Sequence, residues 1–310
     1  MNSILAFFNS LPGALGQGLV WGIMAVGVYI TYRILDVSDL TVDGSIATGG
    51  AVCAVAISLG VNPWLAMGLA VLAGMLAGLV TGILHTKCGI PAILSGILTQ
   101  LALYSINLRI MGIGTSSATM ATVALNVNSQ KLLLSSRYIR SLSLQNPLIL
   151  LALAVTAVIG ALYWFFGTEM GCSLRATGAN PSMARAQGIK TDFTKVLGLV
   201  VANGLVALSG ALIAQYQGGA TVDMGRGAIV IGLAAVIIGE VMFSKVFINF
   251  ALKLLACIIG AVVYYAVITL VLRLGLESTD LKLLTALVVA AFLTIPQWKG
   301  KLFRKKAKEV

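Results

Sequence analysis

The sequence predicts an all-α polytopic membrane protein with about nine (eight to ten) transmembrane helices in an inverted-repeat arrangement. Three observations lead there. Apolar residues make up 59% of the 310 residues, and Asp, Glu, Lys and Arg only 10%, against roughly 45–50% and about 25% in soluble domains. The apolar stretches are continuous, whereas a β-barrel would alternate apolar and polar residues in short segments. A Thr-Val-Asp triplet followed by glycine occurs twice, and each time it opens a new apolar stretch behind a long one. So little charge cannot coat a water-facing surface of this size. A soluble enzyme, a disordered chain and a coiled coil are excluded on that ground. Residues 1–310 read as a single transmembrane domain.

A span needs about 20 mostly apolar residues to cross a hydrocarbon core of ~30 Å. The expected spans are 14–33, 44–60, 64–86, 91–110, 147–167, 194–217, 228–240, 247–272 and 281–296. Between Asp43 and Lys87 lie 43 residues without formal charge. As helix they measure roughly 65 Å at ~1.5 Å per residue, enough to cross twice. Asn62-Pro63 marks the turn between the crossings. The seventh span is too short to cross alone and reads as a half-helix or a broken one. Residues 1–12 are Pro-broken and too short for a further span, and without Lys or Arg they do not read as a secretory signal.

The chain has a net charge of +11. Its tail, 297–310, holds Lys299, Lys301, Arg304, Lys305, Lys306 and Lys308 against Glu309, and so reads as cytoplasmic. Nine spans then place the N-terminus outside, with Arg33, Lys87, Lys245 and the 168–195 loop inside. Residues 111–146 lie outside with Lys131, Arg137 and Arg140, against the charge rule, which longer loops obey less strictly. The cations do not cluster with interleaved aromatics on a soluble fold, so no nucleic-acid partner is expected. Cys53, Cys88, Cys172 and Cys257 have no metal or redox spacing and read as small apolar fillers. Gly74, Gly78 and Gly82 share one helical face, as do Gly18 and Gly22. Such spacing lets helix backbones approach closely in lipid and indicates packing.

The two repeat segments are DLTVDGSIATGG (39–50) and ATVDMGRGAIVIG (220–232). They are five spans apart, so they face opposite sides of the membrane. Inverted repeats place a substrate path at the repeat interface, often on interrupted helices, which makes a transport protein the leading class. Asp39, Asp43 and Asp223 belong to these segments, with Thr41 beside them. Carboxylates within a membrane are usually functional. The alternative is that they are helix N-caps at the water boundary, and the order Asp43-Gly44-Ser45 before an apolar run suits a cap. Gln100, Asn107, Asn203, Gln215 and Gln217 are costly to bury against lipid. They should face the bundle interior, either bonding other helices or lining the path.

The stretch from Glu169 to Lys195, EMGCSLRATGANPSMARAQGIKTDFTK, carries most of the mid-chain charge. Within it Asn180 is placed as an N-cap, Pro181 as the first helical residue and Gly188 as the stop. A helix of about two turns does not persist alone in water, so it must dock. Met183, Ala184 and Ala186 offer a small apolar surface, and Arg185 and Gln187 offer polar contacts. The surface it docks on is a partner, its own protein or the headgroups.

A span, then G-x-x-L-R-A-T-G-x-N-P-x-x-A-R-x-x-G-I, then a span with Asn-Gly and Ser-Gly, resembles the inner-membrane permeases of bacterial ABC importers of the branched-chain amino acid and ribose type. YRILDVSDLTVDGSIATGGA and GAIVIGLAAVIIGE match the same pattern, and the resemblance covers essentially the whole chain. It implies that Glu169, Gly171, Leu174, Arg175, Gly178, Asn180, Pro181, Ala184, Arg185 and Gly188 form a coupling helix region that sits in a groove of a cytoplasmic ATPase. It also implies a second permease subunit (a homodimer), two ATP-binding subunits, an extracytoplasmic substrate-binding protein and a location in the bacterial inner membrane. The implied substrate is a small solute, amino acids first, aromatic ones among them, then sugars or nucleosides.

The chain has no G-x-x-x-x-G-K-[ST] loop, so ATP and magnesium are expected on the partner. The alternative is an ion-coupled secondary transporter, which usually needs ionisable groups deep in its spans. His85 lies at a span end, and Glu240 and Lys253 near span ends, where headgroup placement or mutual pairing is expected. No nucleophile–base set or metal cluster marks an enzyme.

Overall fold

The computed structural model describes residues 2–114, 117–125, 132–134, 146–243, 249–273 and a few positions between 283 and 294, with side chains from Ser10 onward. The expected ninth span, the basic tail, Lys131, Arg137, Arg140 and Lys245 lie essentially outside the described residues.

The first helix, α1 (Asn2–Tyr29), continues through a π-helical turn, Ile30–Ile34. Pro12 sits inside α1, so residues 2–12 lengthen the first helix and are not broken from it. A proline removes one backbone donor, a loss that packed membrane helices tolerate. The expected spans then appear as α2 (Val42–Ser58), α3 (Pro63–Thr86), α4 (Ala92–Gly112), α5 (Pro147–Gly167), α8 (Thr191–Gln217), α9 (Ala228–Phe243) and α10 (Phe250–Arg273). Two short helices, α6 (Glu169–Ala179) and α7 (Pro181–Ala186), lie between α5 and α8. Strands β1 (Thr122–Ala124) and β2 (Gly219–Thr221) pair antiparallel, with Thr122 opposite Thr221.

Among the described residues, six stretches are long and apolar enough to cross a bilayer: Ser10–Ile34, Pro63–Thr86, Ala92–Gly112, Pro147–Gly167, Thr191–Gln217 and Phe250–Leu272. Helices α2 and α9 have only 17 and 16 residues, about 25 Å each. The second expected span, read as a complete crossing, is therefore a shorter helix led in by residues 35–41. The seventh is one unbroken helix. Asn62 caps α3 as the Asn-Pro turn required, its Oδ1 accepting the Trp64 N–H at 3.0 Å.

The glycine stripes are packing devices, as expected. A Cβ on Gly74 or Gly78 would meet the α8 backbone at Asn203 or Leu199, and one on Gly18 or Gly22 would meet Val262 or Ile258 of α10. The main core joins α1, α5, α8, α9 and α10, and a second cluster lies between α2, α8 and the β ribbon. The outer faces of α3, α4 and α5 remain apolar and exposed, with Leu72, Leu76, Leu98, Leu153 and Trp164 among them. All four cysteines are free. Cys53 and Cys257 are buried fillers, whereas Cys88 and Cys172 are exposed.

Candidate functional site

The site is built where the two Thr-Val-Asp segments meet. After the π-helical turn, Asp36 adopts a left-handed backbone, φ +54°, which a short polar side chain tolerates. The chain then turns back into the bundle. Asp39 ends up beside Asn203, near the middle of α8. Its Oδ1 accepts the Thr41 N–H at 2.9 Å, and its Oδ2 accepts Asn203 Nδ2 at 2.7 Å. Asn203 Oδ1 in turn accepts the Ser45 hydroxyl at 2.6 Å. Thr41, Thr81 and Thr99 form a hydroxyl chain across α3 and α4, at 2.7 and 2.9 Å. Every one of these groups is buried. A buried polar group costs little only when it is bonded, and this network bonds each member.

Asp43 does something the sequence did not show. It lies in the first turn of α2, whose N-cap, Thr41, makes no side-chain cap bond. Instead the Asp43 carboxylate accepts the N–H groups of Gly227 at 3.0 Å and Ile229 at 2.9 Å. It therefore caps α9, the helix of the other segment. Of the two readings, capping holds, but on a different helix from the expected one. Helix α2 runs from this point toward Leu59, which sits beside Gly114 at the end of α4. Helix α9 runs the other way, toward Glu240, which pairs with Arg33 at 2.9 Å and not with Lys253. The two helices diverge from one shared starting point.

Beside that point lies a cleft of about 370 Å³. Asp43, Gln100 and Asn107 line it, together with Leu101, Tyr104 and Arg226. Gln100, Tyr104 and Asn107 recur at helical spacing on one face of α4. Asn107 is 1% exposed, and its Oδ1 has no hydrogen-bond partner among the described residues. Asp223 sits outside the lining, paired with Arg226 at 2.8 Å.

The eight path candidates therefore separate. Asp43, Gln100 and Asn107 converge on the cleft. Asp39, Thr41 and Asn203 belong to the buried network. Asp223 is exposed at the cleft's edge. Gln215 lies apart toward the β ribbon, where its Oε1 accepts the Leu133 N–H at 3.2 Å and its Nε2 meets Cys53 Sγ at 3.5 Å. Arg226 and Tyr104 were missed. Arg226 lies three residues after Asp223 of the second Thr-Val-Asp, a signal that was available; Tyr104 shares the α4 face of Gln100 and Asn107.

The 168–195 loop folds as expected around α7 and adds α6, which was not foreseen. Asn180 Oδ1 accepts the Met183 N–H at 3.1 Å. At the other end the Gly188 N–H bonds to Arg185 O and the Ile189 N–H to Ala184 O, with Gly188 at φ +82°. That is a complete Schellman stop. Thr168 starts α6, its Oγ1 3.4 Å from the Gly171 N–H. Part of the motif faces inward, and Asn180, Arg185 and Gly188 are among its exposed residues. Leu174 and Ala184 are buried, and Gly171 and Gly178 lie against the backbones of Phe165–Phe166 and Ile34. Arg175 donates to Phe166 O at 3.0 Å and lies over the Phe250 ring. Arg185 donates to Thr191 Oγ1 at 2.7 Å, tying α7 to α8. Met183, 63% exposed, and Glu169 and Pro181 point outward.

Residues 10–295 match the family described as branched-chain amino acid transport system / permease component. A tyrosine transport system permease protein of Clostridioides difficile is 41% identical over 303 residues, 97% of this chain and 96% of that protein. The chain belongs to this permease family. The permease is also 34% identical to the uncharacterized protein RP368 of Rickettsia prowazekii, over 91% of this chain and 95% of the relative. It is 27% identical to the autoinducer 2 import system permease protein LsrC of Yersinia pestis, over 64% of this chain and 54% of that one. Its fold matches that of PsaBC from Streptococcus pneumoniae, solved with a Fab, at a TM-score of 0.53 and 18% identity over 94% of both chains. It is thus the multi-pass membrane subunit of an ABC importer, a transport permease and not an enzyme. Membership implies ATP-hydrolysing and substrate-binding partners. Among the described residues no His, Cys, Asp and Glu group could hold a metal ion.

Proposed function

We propose that this permease imports an aromatic amino acid of the tyrosine type across a bacterial inner membrane. The whole chain acts as one transmembrane domain of about nine spans in two inverted halves, with the 168–195 loop and the 297–310 tail in the cytoplasm. Two copies form the path between them, a binding protein delivers the substrate from outside, and the partner subunits hold ATP and Mg²⁺. The observation that carries the substrate is the 41% identity to a tyrosine transport permease along 97% of the chain.

The loop supports a mechanical role. Its α7 is capped at both ends, so it moves as a rigid piece. It offers Met183 outward for an ATPase groove. Helix α6 passes movement on, since Gly178 touches the Ile34 backbone at the π-helical turn. That turn leads directly to Asp39, and Asp39 is bonded to α8 through Asn203. A push on α7 thereby reaches the start of α2 and the cleft. Vesicles containing the permease, its ATPase and its binding protein should accumulate labelled L-tyrosine with ATP and without an ion gradient. Uptake driven by an ion gradient in the absence of ATP would replace this reading with a secondary transporter.

A further inference from the structure

We propose that the cleft beside Asp43 holds a zwitterionic amino acid by its two charged ends, with Arg226 taking the α-carboxylate and Asn107 Oδ1 and Asp43 taking the α-ammonium. This rests on the reading of the chain as an amino acid permease and assigns the residues that do the selecting within it.

The cleft has the chemistry for both ends. Arg226 is its cation. Asp223 engages Arg226 at 2.8 Å, but a guanidinium has five N–H donors in a fork that suits carboxylates, so a second carboxylate fits beside the first. The acceptors are Asp43 and Asn107. Asp43 accepts two backbone N–H groups, and an ionised carboxylate has about four lone-pair sites. Asn107 is the decisive observation. A buried amide oxygen with no partner among the described residues is costly, and such an exception needs a reason. In a side chain that lines a cleft, an arriving N–H donor supplies one. Asp43 and Arg226 line the same cleft, and Asp43 bonds to the N–H of Gly227, next in sequence to Arg226. Leu101 and Tyr104 add apolar surface on the same helix for an aromatic side chain. The volume, about 370 Å³, falls at the small end of small-molecule pockets.

The experiment is ATP-driven L-tyrosine uptake in vesicles holding the complete transporter, with basal ATP hydrolysis as the check on assembly. Arg226→Gln and Asn107→Leu should each lower the uptake rate about 10- to 100-fold, the loss of one charge-assisted hydrogen bond, while basal hydrolysis persists. Arg226→Lys keeps a cation without the fork and Asn107→Asp keeps an acceptor, so each should recover part of the rate. If either Asn107→Leu or Arg226→Gln transports within about threefold of the unaltered protein, the two-ended assignment is overturned. It is equally overturned if neither conservative variant recovers. If the unaltered transporter moves no L-tyrosine, it is the proposed function that fails, a result distinct from the other two.

Discussion

The two Thr-Val-Asp segments share a sequence and differ in use. In the first, Asp39 and Thr41 are buried and fully bonded, and Asp43 reaches across to cap the other segment's helix. In the second, Thr221 and Asp223 are exposed, and Asp223 holds Arg226 on its own loop. The cap runs one way only. One residue explains much of this: Met224 separates Asp223 from Gly225, whereas Asp43 is followed at once by Gly44. Gly225 lies directly against the Asp43 backbone, leaving no room for a side chain. The first segment is thus the anchor and the second the edge of the cleft. A motif that occurs twice is used in two ways, and the difference leaves a cation in the site.

Substitutions can break that contrast. The largest effect should come from Asn203→Leu, which strands both the buried Asp39 carboxylate and the Ser45 hydroxyl. Breaking such a buried polar set costs about 3–5 kcal/mol, to be seen as a large drop in thermal unfolding temperature in detergent or as failure to accumulate in the membrane. Asp43→Ala should come next, since it leaves two N–H groups at the start of α9 without their acceptor. A loss of about 1–3 kcal/mol is expected, with uptake reduced more than stability. Asn180→Ala tests the loop and should cost about 1 kcal/mol of local α7 stability through the lost cap, read as weaker ATPase association with the transmembrane bundle still folded. Asp223→Ala should do least. Its ion pair is exposed, and such pairs contribute about 0–1 kcal/mol. If Asp223→Ala destabilised as much as Asp43→Ala, the distinction between anchor and edge would be lost.

Much of the fold was legible because lipid enforces it. Charge-free runs had to be helices, and the Asn-Pro starts at Asn62 and Asn180 had to be caps. Gly188 as a stop and the glycine stripe on α3 were legible for the same local reasons. What was not legible depended on distant partners. Asp43 looked like the cap of its own helix because capping is a local pattern, and no local pattern reveals an acceptor for residues 227 and 229. The division of the coupling motif into an inward and an outward part was hidden likewise. A motif in sequence does not say whether Leu174 faces a partner or a core, and it faces a core. Asn107 was singled out for its cost in lipid, but only the structure shows that its oxygen has no partner among the described residues.

The central claim is that the place where the two segments meet is the substrate path. The most direct measurement is aqueous thiol labelling of Leu101→Cys, in a background lacking Cys53, Cys88, Cys172 and Cys257, within the assembled transporter. Leu101 lines the cleft and is 64% exposed, whereas Leu76, 62% exposed on the outer face of α3, serves as the lipid-facing control. Leu101→Cys should react from water and change its rate several-fold when ATP is bound and trapped, while Leu76→Cys stays silent. Equal silence at both positions, or a Leu101→Cys rate that ignores ATP, would contradict the account.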